Sequence, residues 1–114
     1  MMMIYKILPE TEWAAAVEAG EFNGSGIDIA DGYIHFSTAA QMVETASKHF
    51  TGRPNLMLIA VDDVVIGDAL KYEVSRGGAL FPHLFRPLSV SEATWAKPLP
   101  LDENGVHIFP EDAR

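Results

Sequence analysis

The chain contains no cysteine in its 114 residues. This excludes disulfides, thiolate zinc sites, iron–sulfur clusters and a cysteine nucleophile together. It also suits a reducing cytoplasm, the expected location. Long hydrophobic runs are missing too. The longest candidate, Leu56 to Val61, falls far short of the roughly 20 apolar residues that a membrane helix needs, so no membrane association is expected. Met1 to Lys6 carries no basic leader and no small-residue cleavage site, which is not the pattern of a signal peptide. Basic residues are scarce, 8 against 16 acids, for a net charge of −8. Long-range repulsion from phosphates argues against double-stranded nucleic acid as a partner. Nor is there a G-x-S-x-G elbow, a P-loop or a G-x-G-x-x-G fingerprint.

What is present suits one globular domain over residues 1–114. Apolar residues make up 48% and charged residues 21%, enough to build a core at this length. Ile4 to Leu8 reads as a strand ended by Pro9. Thr11 reads as the N-cap of a short helix with Trp13, Ala16 and Val17 on one face and Gly20 as terminator. Glu21 to Gly32 reads as loop. Tyr33 to Phe36 reads as a strand. Thr38 and Gln41 match a capping box, followed by Ala39, Met42, Val43, Ala46 and Phe50 at helical spacing. Leu56 to Val61 has the length and flanks of a strand buried on both faces. Val64 to Leu70 fits either a turn or a strand fragment. Leu70, Tyr72 and Val74 alternate with Lys71 and Glu73 in a half-buried strand, and Ser75 to Ala79 is a glycine-bearing loop. Pro82 makes Leu80 to Phe85 an edge strand or an extended loop. Val90 to Lys97 is the last full strand. A turn at Asn104-Gly105 precedes a small strand at Val106 to Phe109. Two helices in the first half with strands before, between and after predict an α+β fold of small, mainly antiparallel sheets.

Alternation sets Ile34 and Phe36 against the core, and His35 and Ser37 together on the other face. An imidazole and a hydroxyl two residues apart, at the start of a helix whose free N–H groups suit an anion, form a compact polar site. The plainer reading is a structural histidine beside a capping serine. His83 lies in an aromatic and proline frame, Phe81 to Phe85, which restricts the ring and keeps water away; a packed loop histidine is the alternative. Glu73 stands out among the acids because it falls inside a strand pattern. It suits a general base, an orienting group, or a pair with Lys71 or Arg76. Lys71, Arg76 and Arg86 flank this region as either a local positive patch or scattered surface bases. Two histidines and a glutamate invite a metal reading, but no His-x-His or His-x-x-x-His spacing supports it, and no metal is favoured. His49, near a helix C-terminus, and His107, in the tail, look peripheral.

With these residues in view, the chain resembles the domain-of-unknown-function 952 family. The resemblance rests on Ile4-Tyr5-Lys6, Trp13, Gly32 to Thr38 with Gln41, Tyr72-Glu73 and Phe81-Pro82-His83-Leu84-Phe85. The chain departs from the family's pattern at Lys6 and at Phe85-Arg86. The resemblance implies a minimal ADP-ribosyltransferase-like (ADP-ribosylation) fold with a cleft between its sheets. It further implies that a small nucleotide-like molecule, NAD or an ADP-ribose-like nucleotide, is substrate rather than fixed cofactor. Tyr5 and Lys6 would match the first motif of that superfamily. His35 and Ser37 would match the second, and Glu73, or else His83, the third. His35, Glu73 and His83 are then the candidate catalytic residues. Tyr5, Lys6, Ser37, Arg76 and Phe81 are the candidate substrate contacts. A non-catalytic binding module on the same fold, and a histidine-dependent hydrolase or metal-dependent enzyme, are the alternative readings.

Overall fold

The computed structural model describes residues 1–113, Arg76 by its backbone alone. Its strands are β1 (Met3–Pro9), β2 (Glu21–Phe22), β3 (Ile34–His35), β4 (Ser37–Thr38), β5 (Leu56–Asp62), β6 (Leu70–Val74), β7 (Leu80–Leu84), β8 (Leu88–Ser89) and β9 (Ala93–Leu99). The helices are α1 (Glu10–Ala19), α2 (Gly26–Asp31), α3 (Ala39–His49) and the short α4 (Asp63–Ile66). The fold is therefore α+β with small antiparallel sheets.

The larger sheet has the order β4-β1-β5-β9. Its centre, β5, is apolar on both sides, as the continuous run predicts. Leu58 and Ala60 pack with Tyr5, Met42, Ala46 and Leu99. Ile59 and Val61 pack on the other face with Ile4, Leu8, Trp13 and Phe36. Helix α3 covers the first face through Met42 and Ala46, and α1 covers the second through Trp13 and Ala16. Val17 and Val43, assigned to these faces by spacing, are 53% and 56% exposed, so each buried stripe is narrower than expected.

The smaller of the two sheets beside the cleft has the order β3-β7-β6; β2 and β8 form a separate two-stranded sheet. The chain passes between sheets at Phe36: His35 pairs with His83 in the small sheet, and Ser37 pairs with Tyr5 in the large one. This crossing is what separates the sheets and leaves a cleft.

Several expectations need correction. First, Thr11 does not cap α1. Pro9 leads directly into the helix, and the Glu10 N–H is met by Asn55 O at 2.9 Å, so no side-chain cap is required. Second, residues 21–32 are loop only at 23–25 and at the Gly32 turn. They hold β2 and α2, the latter started by a Ser25–Asp28 capping box. Third, β7 is a central strand despite Pro82. Pro82 O accepts the Phe36 N–H at 2.9 Å on the β3 side. The proline nitrogen faces that same side, where the chain is already leaving for the larger sheet, so no ladder donor is missed. The tail forms the Asn104-Gly105 turn but only a single bridge, Leu101 to His107, in place of a strand. Val64 to Leu70 resolves as α4 followed by a turn of 3₁₀ helix before β6. Among the described residues no helix is long and apolar enough to cross a membrane.

Candidate functional site

The crossing at Phe36 opens a cleft of about 370 Å3. Its floor comes from β1 (Tyr5, Lys6, Ile7) and the crossing segment (His35, Phe36, Ser37). Its walls come from α2 (Ile27, Asp31), α3 (Thr45, His49) with Phe50, and β7 (Phe81, His83), with Tyr33 and Ser75 at the edges. Ile34 and Phe36 are 2% exposed in the core, so alternation turns His35 and Ser37 toward the cleft.

The two histidines are direct cross-strand neighbours, with ring centroids 5.3 Å apart at 70°. Each is held by its own carboxylate. His83 Nδ1 lies 2.8 Å from Glu73 Oε1, which can only accept when ionised, so Nδ1 carries the proton. His83 Nε2 is buried and without a hydrogen-bond partner among the described residues. His35 has a carboxylate at each nitrogen: Asp28 Oδ1 is 2.6 Å from Nδ1, and Asp31 Oδ2 is 3.0 Å from Nε2. Both ring nitrogens thus have a carboxylate partner. Tyr33 packs against both rings in tilted contacts, with centroids 4.7 Å from His35 and 4.2 Å from His83.

Beneath His35 lies a charged hub that composition and spacing did not single out. Asp28 is 2% exposed. Its Oδ2 accepts the Ser25 N–H and lies 2.8 Å from Lys6 Nζ; its Oδ1 accepts the His35 N–H at 3.1 Å as well as the ring Nδ1–H. Burial pushes the Asp28 carboxyl up, but the Lys6 ammonium and the hydrogen bonds from Lys6, Ser25 and His35 outweigh it and hold it below the usual carboxylate range. Burial also lowers the Lys6 pKa from its ordinary value, against the opposing pull of Asp28.

The signal for this hub was Ser25-x-x-Asp28, the capping-box spacing that marks a helix start. Gly24 completes it. Its φ is +115°, and a Cβ there would stand 2.8 Å from Asp28 Cβ. Gly24→Ala should cost on the order of 1–3 kcal/mol and loosen α2. Urea denaturation, together with amide exchange over residues 24–32, checks this.

The predicted residues divide clearly. His35, His83, Ser37, Tyr5, Lys6 and Phe81 all line the cleft. Ser37 Oγ lies 3.0 Å from Thr45 Oγ1, and Lys6 is committed to Asp28. Glu73 does not line the cleft and meets it through His83. The Arg76 side chain lies outside the described residues. Arg86 departs from the positive-patch reading: its guanidinium grips Glu92 with two 2.8 Å bonds and donates to Ile66 O, away from the cleft. Asp31, Tyr33, Thr45 and Ile27 are cleft residues that the sequence reading had not selected. His49, read as peripheral, also lines the cleft, whereas His107 sits in the tail with Nε2 2.9 Å from Arg53 O. Among the described residues no group of three or more His, Asp or Glu side chains is arranged to hold a metal ion.

An α+β fold with a cross-strand histidine pair in the cleft between its four-stranded and three-stranded sheets is the class that fold and site define. The chain belongs to the family described as protein of unknown function (DUF952), whose model matches residues 7–96. Protein CC0527 from Caulobacter crescentus is similar throughout. Its crystal structure is 51% identical, covers 97% of each chain and superposes with a TM-score of 0.92. Its solution NMR structure is 55% identical over 93% of this chain and 91% of that one, with a TM-score of 0.84. No curated protein matches the chain by sequence.

Proposed function

We propose that the cleft binds NAD or an ADP-ribose-like nucleotide, and that His83 is the group that moves a proton on it. The observation carrying this reading is the condition of His83. Its Nδ1–H is committed to Glu73, so in the neutral ring Nε2 holds a lone pair, and Nε2 is buried with no partner among the described residues. Leaving a buried acceptor unsatisfied costs about 1–3 kcal/mol, a cost that a ligand N–H or O–H reaching Nε2 would offset. The Tyr33 ring lies against His83 in a tilted contact, with centroids 4.2 Å apart, so a ligand reaching Nε2 would pass beside Tyr33. The cleft volume lies in the small-ligand range and matches a nucleoside-sized group, leaving the rest of a dinucleotide at the mouth. Two small sheets flanking the cleft are consistent with an ADP-ribosylation-like arrangement, and Tyr33 and Phe81 offer aromatic surface to a base.

In this reading Glu73 positions His83 rather than touching substrate. His35 and Ser37 contact ribose or phosphate, and Tyr5 and Phe81 form walls. A general acid–base group contributes about 100- to 10,000-fold to rate. His83→Gln should therefore lower turnover by that order while nucleotide still binds.

Titration with NAD and with ADP-ribose, followed by NMR, tests the binding. Shifts at Tyr33, His35, Ser37 and His83 are expected; their absence at millimolar ligand overturns the proposal. One observation favours a non-catalytic binding module instead: Glu73, a candidate catalytic acid, is outside the cleft lining. Under that alternative the wild type binds without turnover and Glu73→Gln keeps its affinity.

A further inference from the structure

We propose that β6 is the interface of a symmetric dimer, in which a second copy of the chain pairs antiparallel with it about a twofold axis at Tyr72. Strand β6 is the outer strand of the small sheet, and its backbone is only half used. Tyr72 faces Pro82 in the β6–β7 register. Pro82 has no N–H and turns its carbonyl to Phe36, so this pair exchanges no hydrogen bond. By antiparallel alternation Lys71 and Glu73 bond to β7, while Tyr72 and Val74 direct N–H and C=O outward. The Leu70 N–H turns back to Gly67 O, which leaves the Leu70 carbonyl for an outside donor.

An open edge accepts any strand in principle; the side chains restrict the choice to this one. With the axis at Tyr72, Lys71 stands opposite the partner's Glu73, and Glu73 opposite the partner's Lys71. Leu70 stands opposite the partner's Val74. Opposite charges directly across an antiparallel pair are favourable, and like charges are not. In a chain of net charge −8, the edge presents one cation and one anion in the order that complements itself. The other face of the strand supplies an apolar reason to pair: Tyr72 is 38%, Val74 70% and the neighbouring Leu80 53% exposed. The Tyr72 ring is already anchored, its hydroxyl donating to Asp63 Oδ2 at 3.1 Å. The outward groups at the axis, Tyr72 N–H and C=O, would bond reciprocally to the partner's Tyr72.

The pairing joins the two small sheets into one six-stranded sheet and sets the partner's Lys71 beside Glu73, the acid that holds His83. Each copy thus contributes a cation to the other's site. The dimer is tested by sedimentation and amide exchange, so it is judged separately from nucleotide binding.

Analytical ultracentrifugation from micromolar to millimolar protein is the test. The wild type should move from 12.5 kDa toward twice that mass as concentration rises. Lys71→Glu should remain monomeric, because Glu would face Glu twice across the axis. The exchanged variant Lys71→Glu/Glu73→Lys should dimerise again, its pattern being self-complementary in reverse. Amide exchange on the wild type adds a measurement free of variant folding: Tyr72 and Val74 amides should gain protection with concentration. A wild type monomeric at millimolar concentration, a Lys71→Glu variant that dimerises as well as wild type, or Tyr72 and Val74 amides indifferent to concentration would each overturn the proposal.

Discussion

Asp28→Asn should destabilise the fold by about 3–5 kcal/mol, the usual cost of removing one partner from a buried ion pair. Asparagine keeps the shape of Asp28 but has a single acceptor oxygen, so it can accept from Ser25 or from His35 and turns its NH2 toward the other. It also loses the charge. Lys6, 8% exposed, is then left with an ammonium and no counterion at 2.8 Å. Burial already weakens proton binding by Lys6, so the variant must shed that proton or open. The wild-type advantage depends on pH with a definite sign. Burial raises the Asp28 carboxyl, but Lys6 and the hydrogen bonds to it lower it by more. The folded state therefore binds this proton less readily than the unfolded chain, where an aspartate titrates near about 3.9. The stabilisation is complete above that value and disappears as pH falls through the lower folded value. Urea denaturation of both proteins at several pH values should show a gap that is present at neutral pH and closes below about pH 4. Adding Lys6→Met to Asp28→Asn should recover part of the loss, because the uncompensated charge goes with the lysine.

Much of the scaffold was legible because it follows from local rules. The Leu56–Val61 run, the alternation around His35 and the Thr38–Gln41 box each correspond to observed elements, the last with Gln41 Oε1 accepting the Thr38 N–H at 3.0 Å. What escaped depends on contacts distant in sequence. Asp28 looks like one more surface acid until Lys6, 22 positions earlier, and His35, seven later, fold onto it. Residues 21–32 read as loop because their glycines outweighed a capping box only four residues long. Pro82 argued for an edge because strand order is not visible in a single segment; β7 is central only because the chain departs at Phe36. Glu73 stands out in the sequence because it lies inside a strand, which does not give its reach, and its carboxylate stops at His83.

Phe36→Ala should cost a comparable 3–5 kcal/mol, roughly the range for removing a buried phenylalanine ring, but with a different signature. Phe36 is 2% exposed and packs with Ile34, Ile59, Val61 and Leu84, residues from both sheets. Its main-chain N–H ties the crossing to Pro82 O. Alanine leaves that hydrogen bond intact and removes the ring that fills the junction, so the deficit is transfer energy plus a cavity rather than charge. It should therefore not vary with pH, unlike the Asp28→Asn gap. Phe36→Leu, which retains most of the apolar volume, should lose distinctly less. Because Phe36 also lines the cleft, Phe36→Ala should shift the NMR signals of His35, Ser37 and His83 in the folded protein, whereas a truncation confined to the opposite core face, Met42→Ala, should leave them in place. A loss below about 1 kcal/mol for Phe36→Ala, ordinary for a surface change, would mean that the two sheets do not share their core at this ring. The cleft would then have to be held open by Asp28 and α2 alone.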